Sequence, residues 1–341
     1  MSDDRVVLAH GSGGRLSHDL VQRLFLEHFK DPALHRLDDS AVLELPADAG
    51  SRVAFTTDSY VVSPLFFPGG DIGKLAVCGT VNDLSMSGAR PLWLSAGFIV
   101  EEGLPLVELE RIVASMAATA ELAGVRVVTG DTKVVDRGSV DRLFINTAGV
   151  GLVAPGVHVG GKMARPGDAI LLSGTIGDHG MTILTQREGL TFDSPLQSDC
   201  APLNGLVACL LEAAGPANVH VLRDPTRGGL ATTLNEIASA SQVGIEMEEC
   251  QVPVRESVRA ACELLGLDPL YVANEGKLVA MVDRSVASRA LGALRLHPLG
   301  ADATLIGHVL EQHPGRVVLH TPLGARRVLS MLAGEQLPRI C

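Results

Sequence analysis

A proline- and glycine-rich stretch divides the chain. Pro155, Gly156, Gly160, Gly161, Pro166 and Gly167 crowd into residues 155–167. Proline cannot donate to a strand ladder and glycine supplies turn conformations, so such a cluster interrupts regular structure. On each side of it, β-type runs alternate with helical patterns. Before it, Arg52–Thr57 reads as a strand and Pro64–Gly70 as a loop. Asp71 caps a helix that reaches about Ser87 and stops at Gly88, and Leu92–Val100 is a buried strand. A helix runs between Pro105 and Gly124, and Val125–Thr129 and Leu143–Val153 are β-rich. After the cluster, strands are expected at Asp168–Ser173, Val219–Leu222, Lys277–Asp283 and Asp302–His308. Helices are expected after Gly174–Gly180, from Gly229 to about Ser241, and at Ser285–Leu294. Strands and helices intermixed in both halves give an α/β or α+β body.

The length of 341 residues suits two domains of roughly 100–200 residues. The expected division is 1–155, 156–330 and a tail, 331–341. Gly334–Cys341 has no helix or strand period and reads as mobile. Extended, it reaches at most ~25–30 Å, enough to carry the terminal Cys341 thiol into a distant cleft.

Composition removes several functions. Lys and Arg number 28 against 39 Asp and Glu, a net charge of −11, with no basic run to meet nucleic acid or an anionic membrane. Apolar runs fall short of the ~20 residues of a membrane span, and the acidic start Met1–Arg5 is no signal peptide. Cysteines at 78, 200, 209, 250, 262 and 341 include no CxxC pair, which argues against a disulfide scaffold or structural zinc and for the cytoplasm. His10, His18 and His179 form no zinc pattern. Cys78 and Cys209, in apolar surroundings, read as small core residues.

The carboxylates are more informative. Asp39 precedes Ser40-Ala41-Val42, and Asp58 ends the strand Ala54–Thr57. Asp83 interrupts an apolar helix, Asp131 ends a strand, and Asp224 opens Asp224-Pro225-Thr226-Arg227-Gly228-Gly229. Singly, each suits a cap or turn. Together at one sheet edge they need cations, which points to Mg²⁺ bridging phosphates. The loops Gly11–Gly14, with Gly11 and Gly13, and Gly174–Gly180 precede helices and offer N–H groups to phosphate, although neither is a P-loop or a dinucleotide turn. Lys133 is a phosphate clamp, a proton acceptor or a surface lysine; spacing does not choose. Glu275, at the mouth of a strand, is a general base or an ordinary loop residue.

Several segments resemble a known family. They are His10–Gly14, Phe55–Tyr60, Pro64–Gly70, Cys78–Asp83, Val128–Lys133, Leu143–Thr147, Ser173–Gly180, Thr226–Gly229, Asn274–Lys277 and the terminal Pro338-Arg339-Ile340-Cys341. The Asp-rich segments resemble the superfamily of aminoimidazole ribonucleotide (AIR) synthase and selenophosphate synthetase, the PurM-like proteins. The terminal Pro-Arg-Ile-Cys resembles its HypE hydrogenase-maturation branch. The resemblance implies a two-domain AIR synthase-like fold with a flexible tail, the N-terminal domains pairing through their sheets into a homodimer. It implies a carbamoyl dehydratase using ATP and Mg²⁺. HypF would carbamoylate Cys341, the enzyme would convert the thiocarboxamide into a thiocyanate, and the HypC–HypD complex would accept the cyanide for the iron of [NiFe]-hydrogenase. Asp39, Asp58, Asp83 and Asp224 would hold the metal, with Asp39 preferred over its neighbour Asp38. Asp131 and Thr132 would help to hold ATP, and Glu275 and Lys133 are candidate bases. Rival readings are a selenophosphate synthetase, which would carry a Cys near the His10–Gly14 loop, a thiamine monophosphate kinase, which has no use for a terminal Cys, and a non-catalytic thiol carrier.

Overall fold

The computed structural model describes residues 15–20, 22, 36–39, 41–44, 52–190 and 196–332. Gly11, Gly13 and the tail with Cys341 lie outside them, as does most of the helical pattern around Leu24. A short helix, α1 (Arg15–Leu20), covers its beginning.

The first half is a sheet with helices against it. Its strands are β1 (Ala41–Glu44), β2 (Arg52–Tyr60), β5 (Ala89–Glu101), β6 (Arg126–Val135) and β7 (Leu143–Val153), in the order β1-β2-β7-β5-β6. All neighbours are antiparallel except β5 and β6. A small ribbon, β3 (Phe66–Phe67) with β4 (Gly70–Asp71), leads into α2 (Ile72–Met86); α3 (Leu106–Ala123) joins β5 to β6. Side chains alternate along a strand, so Ala54, Thr56 and Tyr60 of β2 turn inward while Phe55, Thr57 and Ser59 turn out. Asp71 caps α2 as expected, its Oδ1 accepting from Gly73 N at 2.8 Å and Lys74 N at 3.1 Å.

The helix α2 is buried along nearly its whole length. One face meets β7, where Gly149 permits close approach: a Cβ there would stand 2.7 Å from Thr80 Cγ2. The other face meets the second half. Asn82 Nδ2 donates to Ala201 O at 3.1 Å, and Leu203 N donates to Asn82 Oδ1 at 2.8 Å.

The second half holds a larger sheet. Its strands are β8 (Ala169–Leu172), β9 (Val219–Arg223), β10 (Gly244–Glu248), β11 (Val279–Val282), β12 (Thr304–Leu310), β13 (Arg316–His320) and β14 (Arg326–Leu329), ordered β14-β13-β10-β12-β8-β11-β9. Among the described residues five α-helices accompany it: α4 (Asp178–Glu188), α5 (Asn204–Ala214), α6 (Gly229–Ser241), α7 (Glu256–Leu265) and α8 (Ala287–Leu296). β8 and β11 are buried throughout, as their unbroken apolar runs require. Both halves mix helices and sheets, the expected fold class. Among the described residues no helix is long and apolar enough to cross a membrane.

Two strands run further than the sequence implies. β2 passes Asp58 and ends at Tyr60, because β7 pairs with it through Tyr60↔Ile145. β6 passes Asp131 and ends at Val135, paired with β5 through Glu101. Asp131 is therefore mid-strand, not terminal: ladder bonds are indifferent to side-chain polarity on an exposed edge. Cys78 is buried as expected, whereas Cys209 is partly exposed.

Candidate active site

Four of the sequence-selected aspartates converge. Asp39, Asp58, Asp83 and Asp224 line one cavity of about 260 Å³, together with Thr56, Tyr60, Thr226, Arg227 and Glu275. The topology explains the meeting. β2 brings Thr56, Asp58 and Tyr60, and α2 brings Asp83. The turn after β9 brings Asp224, and the loop before β11 brings Glu275. The cavity therefore lies where the two halves face each other.

Asp39, Asp83 and Asp224 each offer a carboxylate oxygen, and these oxygens all lie within 4.8 Å of one another. Thr56 Oγ1 stands 2.9 Å from Asp83 Oδ2 and 3.1 Å from Asp39 O. Arg223 Nε lies 3.1 Å from Asp39 Oδ2, an ion pair without a directed hydrogen bond. Arg223 also binds Glu236 Oε2 at 2.8 Å and Leu37 O at 3.2 Å.

Crowding sets the protonation of the cluster. Burial first, then Asp224 among the neighbouring acids, pushes Asp39 up to about 8 despite the lowering effect of Arg223. Burial raises Asp224 to about 6, again against Arg223. Asp83 is driven well above the usual carboxylate range by burial and by Asp224, Asp39 and Asp58. Glu275 is likewise pushed well up, by burial, Cys200 and the nearby aspartates. Such a cluster holds protons at neutral pH unless a cation replaces them, so hard oxygen donors at this spacing fit a divalent cation such as Mg²⁺. Tyr60 also fits a ligand-binding cavity. It is buried, its hydroxyl beside Thr80 has no directed hydrogen bond, and a Cβ on Gly79 would stand within van der Waals overlap of that hydroxyl.

Asp131, Thr132 and Lys133 do not line this cavity. They lie on the exposed edge strand β6, where Lys133 Nζ is 3.5 Å from Asp131 Oδ2 and the two side chains are about 70% exposed. Asp38 turns to a different partner, accepting from Gly161 N at 2.9 Å.

Residues 37–153 match the AIR synthase related protein N-terminal domain, and residues 165–320 match the C-terminal domain. The chain is 56% identical over 336 residues to the carbamoyl dehydratase HypE of Azotobacter vinelandii, covering 98% of this chain and 97% of that one. It belongs to the HypE family. A solved structure of hydrogenase maturation protein HypE in complex with ATP is 56% identical, with a TM-score of 0.81 over 99% of this chain and 100% of that one. A HypE–HypF complex contains a chain 50% identical, with a TM-score of 0.86 over 92% of this chain and 99% of that one. The family reading of the motifs therefore stands: the chain is an enzyme of the carbamoyl dehydratase family of hydrogenase maturation.

Some residues of this HypE cavity had no role in the sequence reading. Thr56, Tyr60, Thr226 and Arg227 sit inside motifs that carried the resemblance, and alternation along β2 was the signal available for Thr56 and Tyr60. Arg223 gave none, since a lone Arg at the end of a strand has many uses.

Proposed function

We propose that this chain dehydrates the S-carbamoylated side chain of its own C-terminal Cys341 to a thiocyanate at the expense of ATP. The overall change is Cys–S–C(O)NH₂ + ATP → Cys–S–C≡N + ADP + phosphate: the carbonyl oxygen leaves with the phosphoryl group and nitrogen loses both protons. Amide oxygen is a poor leaving group, and phosphorylation makes it phosphate. The observation that carries the reading is the convergence of Asp39, Asp58, Asp83, Asp224 and Glu275 in one cavity. A thiol carrier needs no such cluster.

Asp39, Asp83 and Asp224, with Asp58 on the same wall, are the residues to hold Mg²⁺. When bound, Mg²⁺ neutralises the triphosphate and favours charge shifting onto the leaving phosphate. Glu275 is the base for an N–H proton of the thiocarboxamide, being the carboxylate from the second half that faces this cluster. Arg227, at the exposed rim, supplies positive charge beside an acidic wall. We take the working unit as a homodimer. β6 leaves Val127, Val128 and Val134 between 43% and 69% exposed, and Trp93 of β5 beside it 43% exposed, a large apolar area for a sheet edge. In that dimer Asp131, Thr132 and Lys133 help to bind ATP, and Lys133 is the second candidate base. We assign the parts as 1–155 for ATP binding and dimerisation, 156–330 for the second domain and 331–341 for the tail. HypF is the carbamoyl donor enzyme, the HypC–HypD complex the cyanide acceptor, and the cytoplasm the place of action.

Mass spectrometry of the tail peptide tests this. With HypF, carbamoyl phosphate and ATP, the peptide should become about 43 Da heavier and then lose about 18 Da as the nitrile forms. Cys341→Ala should fold and bind ATP yet show neither change. An adduct on another cysteine of that variant would sink the assignment.

A further inference from the structure

Glu275 sits in an irregular segment, so its direction depends on what holds the backbone. Its own N–H donates to Asp199 Oδ1 at 3.1 Å, and the next N–H, of Gly276, donates to Asp199 Oδ2 at 3.2 Å. One carboxylate thus spans both amides. Lys277 Nζ lies 3.4 Å from the same Oδ2, and the Asp199 side chain is only 2% exposed. A carboxylate at that depth is costly unless its oxygens are satisfied, and here two amides and a cation satisfy them. The carbonyl of Glu275 is held from the other side by Asn82 Nδ2 at 3.3 Å. The fit is close: a Cβ on Gly276 would overlap the Asp199 carbonyl oxygen.

Asp199 does not line the aspartate cavity. It lines a separate polar cavity of about 210 Å³ with Ser173, Thr175, Ser198, Arg255 and Lys277. It therefore has no access to the reacting atoms; it acts through the Glu275 backbone and, as a neighbouring negative charge, helps to raise the Glu275 carboxyl.

We propose that Asp199 is a positioning residue for the dehydration: its carboxylate fixes the Glu275–Gly276 amides so that the Glu275 side chain meets the thiocarboxamide. This rests on the reading of Glu275 as base. Asn82 completes the cradle, but it adjoins Asp83, so its substitution would disturb both functions. Asp199 is the cleaner position to test.

Asp199→Asn keeps the size but presents an NH₂ group to one of the two amides, so one bond is lost and the segment shifts. Misplacement of about 1 Å costs a reaction on the order of 100-fold. The experiment is single-turnover dehydration of the carbamoylated tail in the full chain, followed by mass, for the parent, Asp199→Asn, Glu275→Gln and the double variant. Asp199→Asn is expected to slow dehydration by roughly 10–100-fold with an unchanged KM for ATP. In the Glu275→Gln background it should add less than about 2-fold, because residues acting as one unit are not additive. A merely structural role would lower the rate equally in both backgrounds. Parent-rate dehydration by Asp199→Asn, or an equal loss in both backgrounds, overturns the proposal while leaving Glu275 in place. Parent-rate dehydration by Glu275→Gln overturns the base assignment and this proposal with it. If Asp199→Asn does not fold, Asp199→Glu decides: its longer arm displaces the two amides, and a folded Asp199→Glu at the parent rate overturns the proposal.

Discussion

Arg223 Nε lies 3.1 Å from Asp39 Oδ2, so a cation at the end of a second-half strand pairs with the aspartate that precedes the first-half sheet. With its other nitrogens on Glu236 and Leu37 O, Arg223 ties the Asp39 segment to β9 and stands next to Asp224. It is the main influence lowering the pKa of both Asp39 and Asp224. Arg223→Gln should therefore act twice. The two side chains are 14% and 16% exposed and Asp39 can take up a proton, so breaking this part-buried pair from one side should cost less than the about 3–5 kcal/mol of a fully buried one. With their counter-charge gone, Asp39 and Asp224 should hold protons more tightly, and Mg·ATP affinity should fall. Denaturant unfolding and calorimetry on the same preparation check the two effects; a variant with parent Mg·ATP affinity would deny Arg223 its place beside the cluster.

Asp83 should show the opposite balance. Burial and neighbouring acids raise its pKa, so its neutral form is the comfortable one in the metal-free chain. Asparagine imitates that form and keeps an oxygen for Thr56 Oγ1, now at 2.9 Å. Asp83→Asn should therefore leave metal-free stability within about 0.5 kcal/mol of the parent or raise it. Mg·ATP affinity should fall by far more than that, because a ligand charge is lost. If the Asp83, Asp58 and Asp224 variants all kept parent Mg·ATP affinity, the shared site would be wrong.

The raised pKa values also fix the sign of the pH dependence. In the folded chain Asp39 is pushed up to about 8 from the 3.8 of an ordinary aspartate. Below the lower value both folded and unfolded states are protonated, and the site costs nothing. As pH rises toward 8 the unfolded chain ionises freely and the folded one does not, so this contribution to metal-free stability is lost. Cation binding runs the other way, since Mg²⁺ must displace those protons. Mg²⁺ affinity should climb from pH 6, near the value of Asp224, to pH 8, near that of Asp39. Proton release on Mg²⁺ addition, measured by calorimetry in buffers of different ionisation enthalpy, should be positive at pH 7. No release there would place the cation elsewhere.

What was legible in the sequence was polarity out of place. Asp83 in an apolar helix and Asp224 beside a glycine turn break a local pattern, and the structure brings both into the cavity. Asp71 was legible for another reason, the preference of a carboxylate for the N-terminus of a helix. Asp131 was misplaced because an exposed edge strand tolerates polar residues, so its pattern does not mark where the ladder ends. The strands β10, β13 and β14 are only four or five residues long, too short to show a period by themselves, whereas α5 and α7 do carry a helical period, Leu206, Val207, Leu210 and Ala214 in one and Val258, Ala261 and Cys262 in the other, that the expected elements left out. Asp199 was illegible: it meets Glu275 across 76 residues of chain, and only the fold makes them neighbours.

The last expectation concerns Glu275 and pH. A base works only when ionised, and burial, Cys200 and the aspartates hold this carboxyl well above its usual range. The dehydration rate of the parent should therefore still be rising with pH beyond where an ordinary carboxylate has finished titrating. Glu275→Gln keeps the size and cannot take the proton. Carbamoylation of Cys341 should proceed, because the proposed reaction assigns that step to HypF and not to Glu275. Nitrile formation should slow by roughly 10²–10⁴-fold, the usual loss for an acid–base group, and the residual rate should lose that rise with pH. The mass signature is a tail about 43 Da heavier that persists with ATP present. A Glu275→Gln chain that dehydrates its tail at the parent rate removes Glu275 from the chemistry. Lys133 is then the remaining candidate base, and Lys133→Ala should in that case abolish nitrile formation while leaving carbamoylation of the tail intact.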